Sequence, residues 1–117
     1  MRVSTVRRLA LELPGAEERE TWGEATFRVR NRIFMMLTER ERHAWLKNGH
    51  DEQAALVAMD PDTFFVPPYV GPSGWIGVRI SSVDRDEMRE LIVEAWRRTA
   101  GVRAVRAFDE EHGIEAD

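Results

Sequence analysis

Three arginines at alternate positions, Arg28, Arg30 and Arg32, open the stretch of this chain best supplied with cations. From Arg28 to Lys47, six basic residues against Glu39 and Glu41 leave a net +4. Cations on an exposed face contact phosphates and release counterions as they do so, whereas the bland role for the same residues is to keep an outer hairpin face soluble. A second segment with chemical content runs from Tyr69 through Gly71-Pro72-Ser73-Gly74-Trp75 to Ile80. Strand alternation puts Ile76, Val78 and Ile80 on one side of the pleat and Trp75, Gly77 and Arg79 on the other. An aromatic and a guanidinium either side of a bare glycine can hold a flat or anionic ligand. The competing reading is a Trp packed beneath the preceding proline-rich loop.

Other chemistries find little support. His43, His50 and His112 lack the spacing that puts two imidazoles on one helix face for zinc. Gly71-Pro72-Ser73-Gly74 has neither the lysine nor the strand-to-helix setting of a phosphate loop. Ser73, Ser81 and Ser82 have no evident base, and the carboxylates Glu17, Glu18, Glu20 and Glu24 read as a solvated face. No enzyme activity, metal or cofactor is expected.

Composition sets the frame for these residues. The chain has 117 residues, 43% hydrophobic and 32% charged, which suits one domain, taken as residues 1–108. The remaining residues, 109–117, form an acidic tail carrying Asp109, Glu110, Glu111, Glu115 and Asp117, a net −5, and are expected to be disordered. The absence of cysteine excludes disulfides, thiolate metal sites and thiol nucleophiles. No apolar run is long enough for a membrane span or signal core, so a cytoplasmic protein with no membrane partner is expected. The net charge of −4 counts against a general nucleic-acid binder, but a local patch decides local steering.

The elements that must position these residues follow from periodicity. Val3, Val6, Leu9, Ala10 and Leu13 recur at helical spacing, capped by Ser4 or a neighbour, until Pro14-Gly15. Glu17 to Glu24 reads as an acidic connection. Thr26 to Arg30 alternates with Phe27 and Val29 inward, and Asn31-Arg32 makes the turn into a strand over Ile33 to Thr38. A further strand, His43 to Lys47, ends at Asn48-Gly49. A helix from Asp51 buries Ala55, Leu56 and Met59, and a short strand covers Thr63 to Val66. Asp84 caps the clearest helix, with Met88, Leu91, Ile92, Ala95 and Trp96 as its buried stripe, an exposed Glu94–Arg98 pair, and Gly101 at its end. Helices interleaved with tightly turned strands predict an α+β domain, a mostly antiparallel sheet with helices packed on one face. Arg28, Arg30, Arg79 and Trp75 would then share the outer face.

At the level of whole motifs, Leu13-Pro14-Gly15-Ala16-Glu17-Glu18, Trp22-Gly23, Phe27-Arg28-Val29, Ile33-Phe34, Trp45-Leu46-Lys47 and Val66-Pro67-Pro68 to Gly74-Trp75-Ile76, in this order, resemble the MmcQ/YjbR family. The likeness runs from about Val3 to Ala100. It implies a small fold similar to that of bacterial frataxin (CyaY), with a two-winged, or double-wing, arrangement described as DNA-binding. It implies no catalytic motif. Where relatives often place Gly-Lys at the hairpin this chain has Asn31-Arg32, and its first helix carries Arg7 and Arg8 with only Glu12, not the acidic ridge that iron binding would need.

The resulting expectation is a monomeric, non-enzymatic binding protein that contacts DNA through Arg28, Arg30, Arg32 and Lys47, with Arg79 and Trp75 at the groove or base surface. The alternatives are a pocket for a small planar molecule formed by Tyr69, Trp75 and Trp22, and a protein-interaction module that uses a sheet edge or the acidic tail.

Overall fold

The computed structural model describes residues 1–113. Its elements run α1 (Val3–Leu11), β1 (Glu17–Thr21), β2 (Glu24–Val29), β3 (Arg32–Thr38), β4 (His43–Leu46), α2 (His50–Met59), β5 (Phe64–Phe65), a 3-10 turn (Gly71–Ser73), β6 (Ile76–Arg79), α3 (Arg85–Ala100) and α4 (Val102–Glu111). The six strands form one antiparallel sheet in the order β1-β2-β3-β4-β6-β5. An α+β architecture with helices on one sheet face is therefore what the chain adopts.

The α3 helix organises the core. Asp84 caps it by accepting from the backbone N–H groups of Asp86 and Glu87, and Met88, Leu91, Ile92, Ala95 and Trp96 are all buried, as their spacing predicts. They pack against the inner rows of the sheet, Phe27–Met35–Leu46–Ile76 and Ala25–Leu37–Ala44–Val78–Phe64. Val6, Leu9 and Leu13 from the α1 region, Leu56 from α2 and Phe108 from α4 join the same cluster. Trp96, fully buried, also donates its indole N–H to the Pro14 carbonyl at 2.9 Å, tying the end of the α1 segment to α3.

Several local expectations change. Glu17–Thr21 is a strand, not a connection; Trp22 (φ 51°) and Gly23 (φ 80°) turn it into β2. Its charges on both faces hide the alternation, as suits an exposed edge. The β2–β3 turn is Arg30-Asn31, both at positive φ (54° and 62°), because Val29 pairs with Arg32; the turn is one residue earlier than Asn31-Arg32. A register shift on β3 turns both Phe34 and Met35 into the core, each fully buried. The first helix begins after Arg2 with no side-chain cap, so Ser4 plays no such part.

On α2 only Leu56 is buried; Ala55 and Met59 face solvent. The helix is held instead by Gln53, whose side-chain amide donates to the carbonyls of Gly71 and Trp75. The fifth strand shrinks to Phe64–Phe65. Beyond Gly101, where a tail was expected only from residue 109, α4 carries Asp109, Glu110 and Glu111 within it; residues 114–117 lie outside the described residues. Phe108 packs on Trp96 with centroids 5.1 Å apart, and Asp109 accepts from Arg97, one contact being 3.1 Å.

Truncating Trp96 to Ala removes the largest core side chain and its bond to Pro14, and is expected to lower unfolding free energy by about 3–5 kcal/mol, measured by urea denaturation. The Arg97 hydrogen bonds hold the Asp109 carboxyl below its usual range, against the opposing effect of burial. A carboxyl depressed on folding stabilises the fold above its unfolded value, about 3.9, and that contribution is lost as pH falls through the folded value. Acid titration followed by amide exchange should therefore show α4 loosening below about pH 4, with this acid sensitivity absent in Arg97→Gln.

Candidate nucleic-acid interface

Because every helix contributes to the cluster on the inner face, the opposite face of the sheet is open. Its residues can be read off the pairing. A central row crosses the sheet as Arg19–Thr26–Met36–Trp45–Gly77–Phe65, each pair in direct register. Met36, Trp45 and Phe65 are half-buried in this row, the signature of apolar side chains on a solvated sheet face.

Cations lie on both sides of that row. On one side Arg28 stands opposite Ile33, and Lys47, whose backbone N–H donates to the Phe34 carbonyl, points the same way as Trp45. On the other side His43 pairs with Arg79. The Arg28 guanidinium is held across the β1–β2 ladder by Thr21 at 3.0 Å and Thr26 at 3.4 Å. Arg79 donates to the carbonyls of Pro61 and Asp62 at 3.1 and 3.4 Å and lies over the Phe65 ring, 4.8 Å from its centroid. The Phe65 ring occupies the place a Cβ on Gly77 would take, and His43 tilts against it with ring centroids 4.8 Å apart. Gly77 is thus needed for Phe65 to lie flat on the sheet.

Among the described residues Arg28, Lys47, Arg79, Arg30 and Arg32 form no ion pair. Glu17, the cross-strand neighbour of Arg28, pairs with Arg19 at 3.2 Å instead. Other carboxylates gather elsewhere. Glu18, Glu20, Glu24 and Glu39 line a cleft of about 420 Å³ with Arg7 and Arg40, and Glu52, Glu87, Glu90 and Glu94 line another of about 310 Å³ between α2 and α3.

The residues singled out from sequence do not all meet. Arg28, Lys47 and Arg79 share the open face. Arg32 is exposed at the start of β3, but Arg30 belongs to the turn and swings toward the α3–α4 junction, its Nη1 only 2.5 Å from where a Cβ on Gly101 would sit. Trp75 is 8% exposed just after the Gly71–Ser73 turn, with its carbonyl accepting from Gln53 of α2, so its expected place on the outer surface is corrected to a buried one. Nor do Tyr69, Trp75 and Trp22 form a pocket. Tyr69 (91% exposed) follows edge strand β5, and Trp22 (98% exposed) sits at the β1–β2 tip on the opposite edge, five strand spacings or about 24 Å across the sheet. Trp45, Met36 and Phe65 were missed as site residues. The available signal was the in-phase spacing of His43, Trp45 and Lys47 on one strand.

Among the described residues, no helix is long and apolar enough to cross a membrane, and no three His, Asp or Glu are placed to hold a metal ion. A comparison with curated proteins finds no match. The crystal structure of Deinococcus radiodurans protein DR2400, with the family-model domain DUF419, superposes with a TM-score of 0.79 at 17% identity, covering 97% of this chain and 89% of that one. At that identity the likeness is one of fold. The YjbR family model matches residues 11–98, which include all six strands and most of α3, and on that match the chain belongs to the YjbR family.

Proposed function

We propose that this protein binds nucleic acid, DNA in the first instance, through the open face of its sheet, as a non-enzymatic cytoplasmic binding module. The observation that carries this reading is the placement of Arg28, Lys47 and Arg79 around one solvated, partly apolar surface with no carboxylate paired to any of them among the described residues. Arg32, opposite the inward-facing Val29, and Arg30, whose guanidinium lies beside Gly101, take no part in this face. The net charge of −4 does not oppose this, because much of the negative charge sits in the clefts beside α1 and between α2 and α3. Phosphate neutralisation is a local matter of which groups face the ligand.

The test is affinity for a labelled duplex and for its separated strands, measured by anisotropy over a range of salt. Binding tightens steeply as salt falls, and Arg28→Ala and Lys47→Ala each weaken it and reduce the log-log salt slope by about 1. Affinity no tighter than millimolar at low salt for every one of these probes, or indifference to both substitutions, sinks the reading.

A further inference from the structure

The arrangement of the open face distinguishes between forms of nucleic acid. Its centre is the apolar row of Met36, Trp45 and Phe65, whose ring covers Gly77 and has the Arg79 guanidinium laid over it. Duplex DNA presents phosphates and groove edges, and its bases are already stacked on one another, so an apolar row offers it nothing that cations do not. Unpaired bases have exposed π-faces. These stack on aromatic rings and on the flat face of an arginine.

Resting on the nucleic-acid reading above, we infer that the ligand is single-stranded, with bases lying along the Met36–Trp45–Phe65 row and the sugar-phosphate chain following the cations on either side. Trp45 is the principal platform. Arg79 on Phe65 is the second, since its bonds to the Pro61 and Asp62 carbonyls hold the guanidinium in place over the ring. The two platforms belong to strands two spacings apart, and the Phe65 ring reaches over Gly77 toward the Trp45 strand. Lys47 and Arg28 lie about one strand repeat from this row on one side, and Arg79 on the other, so a chain crossing the strands has a cation within reach on each flank. Stacking of this kind is tolerant of sequence, so the expected preference is for strandedness and not for a particular base order.

The experiment compares a labelled oligothymidine with a hairpin duplex of similar length, for the wild-type chain, Trp45→Ala, Trp45→Phe and Arg79→Gln, each checked for a cooperative melt. The inference expects the single strand to bind at least tenfold more tightly than the duplex. Trp45→Ala should lose about 5- to 100-fold of single-strand affinity with the salt slope unchanged, Trp45→Phe should keep most of it, and Arg79→Gln should lose part of it. If Trp45→Ala does not fold, the Arg79→Gln and Trp45→Phe results decide. Equal binding of both probes, or a single-strand preference that survives both Trp45→Ala and Arg79→Gln, overturns the inference while leaving the nucleic-acid reading intact. No binding of either probe at low salt removes both.

Discussion

Helix α3 lays Met88, Leu91, Ile92, Ala95 and Trp96 against one face of the sheet, and most of the molecule is arranged by that contact. Among the described residues the sheet has six strands but a helical layer on only one side. Apolar residues of the strands are thereby divided into two classes. Those in phase with Phe27, Leu37, Leu46 and Val78 are fully buried or nearly so, and those out of phase must tolerate water. The register shift on β3 strengthens this division by directing both Phe34 and Met35 inward, a gain of one core residue from a strand of seven.

A face that must tolerate water yet carries Trp45, Met36 and Phe65 needs some means of shielding them. Part of that shielding is internal. Phe65 lies flat over Gly77, Arg79 lies over Phe65, and His43 leans on the same ring. The cations that flank the row have aliphatic stems that cover apolar surface while their heads stay hydrated. This packing requires a glycine at position 77. Among the described residues neither Arg28 nor Lys47 is ion-paired, while eight carboxylates line the clefts beside α1 and between α2 and α3.

The second half of the chain was the more legible. The cap at Asp84 and the stripe that follows are local features, and a cap hydrogen bond and a 3.6-residue period depend on little beyond the helix itself. The inward set Ile76, Val78 and Ile80 was equally plain. Strand β1 was not, because Glu17-Glu18-Arg19-Glu20-Thr21 has no apolar phase; its strand character comes from pairing with β2. The β2–β3 turn was displaced by one residue for a similar reason. Preference alone favours Asn31 as the left-handed residue, but the pairing of Val29 with Arg32 obliges Arg30 to adopt a positive φ as well.

For the site, the residue types were enough to place a cationic hairpin and a strand carrying Arg79, and to assign the chain to an α+β class. They could not say which aromatics face outward. Trp75 and Trp45 both lie beside a small residue and an aliphatic one in β-rich segments, yet one is buried and the other is half-exposed on the sheet. Exposure depends on what packs above a residue, and that is a property of distant segments: Gln53 reaching from α2 to the carbonyls of Gly71 and Trp75, and the whole helical layer choosing one face. Local propensity and period settle which residues can share a face. Only the assembled layers decide whether that face is core or surface, because burial is decided between elements and no single element contains the information.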